Sequence, residues 1–281
     1  MQAVNRLQKA LKAGGPSFGV WQTLPGANLS RFLARSGVDW VCLDCEHGNI
    51  SDSDMHDSVA AIAALGVSPI VRIPGNEAWM VKRALDTGAQ GVLVPLLYTV
   101  DDAKRVVSSA KFPPTGTRGF GSPFAHHAWN LESQTQYLKE ANDAIITLVQ
   151  IETKEALDNV DAIAKVPGVD VLLIGPFDLG NNIGHPILDG VMKPELHAAI
   201  DKIHQAALNN GKSTGIFCTS GEQANEYAKK GYHMVTVAGD MILLPNAVSN
   251  ALKTAKGEGV ENGGEKPAMS YDGRSSKRRK A

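Results

Sequence analysis

The chain reads as a (β/α)8 barrel, and three observations predict it. Short β-rich runs alternate with helical patterns almost from end to end. The runs are nearly continuous in apolar residues, as parallel strands buried under helices are. Eight such strand–helix repeats fill most of the chain, the size of one barrel. A doubly wound open sheet is the alternative, but no G-x-G-x-x-G run follows the first strand.

The strands are expected, in order, at Ser17–Gln22, Val38–Asp44, Ser68–Arg72, Gln90–Pro95, Ile145–Glu152, Val169–Gly175, Thr214–Cys218 and His233–Ala238. Helix-like segments fall between them, among them Asp52–Leu65, Glu77–Asp86, Thr153–Lys165, Pro194–Asn210 and Gly221–Lys230. Two stretches break the rhythm. Lys111–Asn130 carries the Pro/Gly-rich run Pro113 to Pro123, long for a plain connection and therefore expected to serve function or an interface. From Lys256 the chain is polar and Gly-rich and ends in Lys277-Arg278-Arg279-Lys280. Residues 1–255 thus read as a single barrel domain and 256–281 as a disordered basic tail. The basic run is similar to a nuclear-import signal, but a solvated tail is the commoner origin of such a run.

Composition narrows the function classes. The 281 residues are 43% hydrophobic and 20% charged, with a net charge of −1, so no global field invites nucleic acid or a membrane. No apolar stretch approaches the ~20 residues of a membrane span. Met1–Arg6 is amphipathic and lacks the apolar run of a signal peptide. The three cysteines are Cys42, Cys45 and Cys218, an odd count that fits reduced thiols and a cytoplasmic location. Cys42 and Cys45 form a C-x-x-C match, but residues three apart on a strand point to opposite faces, a poor arrangement for a disulfide or a metal.

Residues at the C-terminal ends of barrel strands share one rim, where barrel enzymes place their chemistry. Asp44-Cys45-Glu46-His47-Gly48 closes the second strand and Arg72 the third. Gln150 and Glu152 close the fifth, and Gly175-Pro176-Phe177-Asp178 follows the sixth. Glu152 and Asp178 end neighbouring units, so the two carboxylates converge. With no histidine or cysteine beside them they are hard oxygen donors suited to Mg²⁺ or Mn²⁺. The plainer alternatives are that each carboxylate caps the following helix, that Arg72 pairs with Asp44, that His47 is a loop residue and that Gln150 is a hydrogen bonder of the barrel interior. No lysine ends a strand, which disfavours a Schiff base. His126-His127 has no partner at ligand spacing and reads as structural or interfacial.

The runs Asp44–Gly48, Val71–Pro74, Pro113–Gly119, Gln150–Thr153 and Gly175–Leu179 together resemble the HpcH/HpaI aldolases, metal-dependent (class II) pyruvate aldolases of the phosphoenolpyruvate/pyruvate-binding barrel type. The resemblance extends over roughly residues 5–250. It implies cleavage of 4-hydroxy-2-oxoacids to pyruvate and an aldehyde through a metal-stabilised enolate. It implies Glu152 and Asp178 as ligands of Mg²⁺ or Mn²⁺, with Co²⁺ as a third choice. Arg72 then contacts substrate and the enolate oxygen, His47 is the catalytic histidine beside Asp44, Gln150 flanks the pyruvyl group, and amides near Phe177 and Asp178 hold its carboxylate. Phe177 departs from the small residue common there, and the basic tail is a second departure. The resemblance also implies a homo-hexamer with the C-terminal helix exchanged between neighbours.

Two other readings stay open. One is a carbon–carbon lyase on the same scaffold, acting as an oxaloacetate decarboxylase, like macrophomate synthase, or on a CoA thioester, although no basic groove for a nucleotide is visible. The other is a non-catalytic barrel that serves as a binding module.

Overall fold

Residues 1–258 are described by the computed structural model. In chain order the elements are α1 (Arg6–Ala13), β1 (Ser17–Gln22), α2 (Ala27–Arg35), β2 (Trp40–Asp44), α3 (Asp52–Ala63), β3 (Ser68–Arg72), α4 (Ala78–Asp86) and β4 (Gly91–Val94). Then come α5 (Val100–Ala110), α6 (Ala125–Ala128), α7 (Gln134–Ala144), β5 (Ile146–Ile151), α8 (Lys154–Asp158), α9 (Val160–Ala164) and β6 (Val171–Ile174). The chain continues through α10 (Pro176–Asn182), α11 (Pro194–Asn209), β7 (Ser213–Ile216), α12 (Gly221–Lys229), β8 (Met234–Gly239) and α13 (Asp240–Ala255). Each strand pairs in parallel with the next, and β8 pairs back onto β1, which closes the barrel. The predicted architecture is the observed one. From residue 259 onward the predicted tail lies outside the described residues.

Alternation along each strand sorts the core into two parts. On β2, Trp40 and Cys42 face the barrel interior with Ile70, Leu93, Leu148 and Leu173. Val41 and Leu43 face the surrounding helices. Gly19 is required by this interior: a Cβ there would stand 2.0 Å from the Trp40 ring. The end of the barrel at the strand N-termini is plugged by α1. Its Leu7 is fully buried among the interior residues, and Asn5 Nδ2 donates to the carbonyl of Ala144 at 3.0 Å.

Two strands, β2 and β6, start two residues later than the apolar pattern predicts, and in both an aspartate stands just before the start. Asp39 Oδ2 accepts the amide of Phe18 at 3.0 Å, and Asp170 Oδ2 accepts the amide of Thr147 at 2.7 Å. Each aspartate adds this side-chain bond to backbone bonds with the neighbouring strands at the point where its own strand begins. The helix expected over Thr153–Lys165 is broken in two at Asn159, whose Nδ2 donates to the carbonyls of Glu155 and Tyr98.

The Pro/Gly-rich connection after α5 is packed. Arg118 is buried, donates to Tyr137 Oη at 3.0 Å and Asp86 Oδ1 at 2.9 Å, and lies 4.6 Å from the centroid of the Phe112 ring. A Cβ on Gly116 would stand 2.4 Å from the carbonyl oxygens of Lys111 and Ser108. The run from Pro113 to Gly119 is therefore an anchored structural segment. Cys42 lies inside the barrel and Cys45 packs on the outer core, both as free thiols. No helix among the described residues is long and apolar enough to cross a membrane.

Candidate active site

At the C-terminal mouth of the barrel lies a hollow of about 260 Å³. Its walls bring together Asp44, His47, Arg72, Gln150, Phe177 and Asp178. Glu152 is buried directly behind Gly175. All of the residues singled out in the sequence thus meet at one mouth. A larger groove, about 1060 Å³ between α3 and α6, holds none of them.

Asp44 and Arg72 are register partners at the ends of β2 and β3. Arg72 Nε donates to Asp44 Oδ1 at 3.0 Å and Nη2 to Oδ2 at 2.6 Å, a fork-to-fork pair. Asp44 also accepts Trp21 Nε1 at 3.1 Å and the amides of Glu46 and His47. Its oxygens are saturated by these five donors, which leaves no lone pair for a substrate proton. Burial raises its pKa, but the hydrogen bond and charge of Arg72 outweigh this and hold it below the usual carboxylate range. The pairing weighed in the sequence therefore holds: Asp44 fixes Arg72. The third guanidinium nitrogen, Nη1, lies 2.9 Å from Glu46 Oε2. That contact is an ion pair without hydrogen-bond alignment, since Glu46 Oε2 has no hydrogen-bond partner.

Glu46 is a site residue that reasoning from sequence misses. It lies between Asp44 and His47 in the run already noted, but only the tight loop after β2 brings its carboxylate to Arg72. Gly48 makes that loop tight: a Cβ there would stand 2.2 Å from the carbonyl oxygen of Asp44. Burial pushes the Glu46 carboxyl up to about 7, opposed by Arg72 and reinforced by Asp44 and Asp178. His47 stands at the rim with its side chain largely in solvent, and its Nε2 lies 3.8 Å from Glu46 Oε1. Trp21, Thr23 and Phe217 also line the hollow, and no motif or spacing in the sequence points to them.

Glu152 follows β5 directly, whereas Asp178 lies beyond β6, in the first turn of α10. Pro176 starts that helix early because its fixed φ suits the first helical position. Neither carboxylate is a cap. Thr153 caps α8, and α10 has no side-chain cap. Glu152 Oε1 instead accepts the amide of Leu96 at 2.9 Å, and Oε2 accepts Gln150 Nε2. Leu96 holds a φ of 49°, a strained backbone that aims its N–H at the carboxylate. Burial raises the Glu152 carboxyl to about 7; the Leu96 amide opposes the rise and the charge of Asp178 adds to it. Gln150 Oε1 is buried in this wall without a hydrogen-bond partner.

The donor chemistry fits a divalent cation. Two carboxylates face each other's charge, one of them in a buried setting that penalises its unneutralised form. No group of three or more His, Cys, Asp or Glu suited to a metal occurs among the described residues. Two protein oxygens with open positions are the arrangement Mg²⁺ and Mn²⁺ accept, and zinc-type clusters are not. Among the described residues no lysine lines the hollow. His126 and His127 lie on α6 with their rings tilted by 37° and their centroids 3.9 Å apart, and neither lines this mouth.

The fold and site define a (β/α)8 barrel with an acidic, arginine-bearing mouth. The chain belongs to the HpcH/HpaI aldolase/citrate lyase family, whose model matches residues 17–247. It is 38% identical to the 4-hydroxy-2-oxo-heptane-1,7-dioate aldolase of Klebsiella pneumoniae, over 85% of this chain and 89% of that protein. A crystal structure of a family member from Burkholderia cenocepacia superposes with a TM-score of 0.83 at 33% identity, over 91% of this chain and all of that one. Macrophomate synthase superposes with a TM-score of 0.78 at 26% identity, over 91% of this chain and 89% of the other.

Proposed function

We propose that the protein is a metal-dependent carbon–carbon lyase that cleaves 4-hydroxy-2-oxoacids to pyruvate and an aldehyde. The observation that supports this most directly is the meeting of Asp178, Arg72 and Gln150, whose Oε1 is unpartnered, in the wall of one small hollow, with Glu152 buried directly behind it. Glu152 and Asp178 would hold Mg²⁺, Mn²⁺ or Co²⁺, which when bound supplies Lewis-acid stabilisation of the developing enolate.

The chain's own residues account for the remaining roles. Asp44 and Trp21 orient Arg72 so that its guanidinium faces the hollow and stabilises negative charge on the keto oxygen. Preorganised stabilisation of this kind usually lowers the barrier more than any other single effect. The first amides of α10, at Phe177 and Asp178, have no intrahelical partner and can receive the 2-oxoacid carboxylate. Gln150 flanks the pyruvyl group, its Nε2 spent on Glu152 and its free Oε1 open to a hydroxyl or water donor. In cleavage a base takes the proton of the C4 hydroxyl, the C3–C4 bond breaks, and its electron pair passes into the enolate as the aldehyde leaves. Protonation at C3 then gives pyruvate. His47 at the rim, beside Glu46, is the proton carrier, since an imidazole can accept a proton at one ring nitrogen and donate one from the other.

The same enolate forms when oxaloacetate loses carbon dioxide. The resemblance to macrophomate synthase makes oxaloacetate decarboxylation the second reading. The test is release of pyruvate from 4-hydroxy-2-oxoacids and from oxaloacetate by the full chain, with and without a chelator. Glu152→Ala and Asp178→Ala should each remove the metal-dependent turnover while circular dichroism stays unchanged. Full activity after exhaustive chelation would exclude the metal assignment.

A further inference from the structure

The hollow at the barrel mouth does not end at Phe177. A second hollow of about 100 Å³ continues past it, and Phe177 and Phe217 form part of both walls. Three aromatic rings run along this path. Trp21 meets Phe217 edge-on at 5.3 Å between centroids, and Phe217 meets Phe177 at 6.4 Å. Beyond them the wall is made by Ile187, Met192 and Ile242.

Charge in this extension has one sign. Among the described residues Asp189 is its only charged side chain, and neither lysine nor arginine lines it. The one side-chain amide in its wall, Gln223, accepts the backbone amide of Thr219 through Oε1, so only its neutral Nε2 could donate to a ligand. Arg72 lines the first hollow and not this one, and there it is held by Asp44 and Glu46. A substrate carboxylate placed here would lose its water and gain no counter-charge, which is strongly unfavourable. An apolar body would gain aromatic contact instead.

Resting on the aldolase reading above, we propose that the aldehyde half of the substrate is uncharged and apolar, a small aryl or branched alkyl group, seated against Phe177 and Phe217 in this second hollow. The protein is then specific for monoacid 4-hydroxy-2-oxoacids and disfavours diacids.

The test compares pyruvate release from 4-hydroxy-2-oxo-4-phenylbutanoate and from 4-hydroxy-2-oxoheptanedioate by the full chain with Mn²⁺. Exchange of the pyruvate methyl protons in D₂O, followed by NMR, reports enolate formation independently of any aldehyde. Expected is exchange together with a kcat/KM ratio of about tenfold or more in favour of the phenyl substrate. Ile187→Arg and, separately, Ile242→Arg place a cation in the second hollow, and either should move the ratio toward the diacid. An enzyme that exchanges protons but shows a smaller ratio, or prefers the diacid, overturns this proposal and leaves the aldolase reading standing. Absence of both exchange and cleavage overturns both.

Discussion

Gly175 stands against Glu152 so closely that a Cβ at residue 175 would lie 2.4 Å from Glu152 Oε2 and 2.7 Å from Gln150 Nε2. The glycine that precedes Pro176 is thus part of the carboxylate's housing and not a flexible joint. It directly follows β6, the strand paired along its length with β5.

Gly175→Ala should therefore displace the Glu152 carboxylate. The fold should survive, because the clash is with side chains at the rim and not with the barrel interior. Affinity for Mn²⁺, read by isothermal titration calorimetry, should fall at least as sharply as turnover. An alanine variant that binds Mn²⁺ as the wild type does would remove Glu152 from the ligand set.

Arg72→Lys should cut turnover by about 10²–10³ although it keeps the charge, because one point charge cannot engage Asp44 bidentately and still face the hollow. Asp44→Ala should cost stability as well. Breaking a buried pair typically costs about 3–5 kcal/mol, and Glu46 as a remaining counter-charge keeps the loss toward the lower end. Near-normal kinetics for the lysine variant would reduce Arg72 to a structural ion pair.

His204 and His233 should make stability fall in mild acid. Both are buried or half-buried, and burial lowers their pKa. His204 stacks on Tyr232 at 4.2 Å, and His233 Nδ1 accepts the amide of Thr214 at 3.1 Å. A histidine with a depressed folded pKa protonates first in the unfolded chain. Its contribution is present above the ordinary value of ~6.5 and is lost as pH falls toward the folded value. Glu46 and Glu152, whose folded pKa values are raised to about 7, act in the opposite sense. The informative quantity is hence the difference between wild type and His204→Gln/His233→Gln. Urea midpoints at pH 7.5 and 5.5 should show the wild type losing ground to the variant on acidification; a pH-independent difference would count against it.

The chain should assemble into a homo-oligomer, a hexamer as the family resemblance implies. Asp240 is the only buried residue of α13, while Met241, Leu244, Val248 and Leu252 form an exposed apolar stripe. Such a stripe is normally covered, at a gain of roughly 1.5–3 kcal/mol per large side chain. Asp240 itself must be kept in any truncation, since it accepts the amides of Thr23 and Leu24 and fixes the loop after β1. Val248→Glu with Leu252→Glu should break the assembly and leave the barrel's circular dichroism intact. Sedimentation of the wild type as a monomer at micromolar concentration would sink the idea.

The sequence by itself determined the strands, the alternation and the rim. Residues such as Val71, Leu148 and Leu172 announce buried strands because a parallel strand under helices must be apolar on both faces. The parallel order then places Asp44, Arg72 and Glu152 on one side, so most of the site is legible from the chain alone. Tertiary structure decided the rest. It turned Glu46 inward through a loop that Gly48 keeps tight, aimed the amide of Leu96 at Glu152, and set Phe217, just after β7, beside Phe177 in the helix after β6. It also left α13 without a cover. None of these has a local periodicity to betray it, because each depends on how loops from separate βα units meet once the barrel has closed.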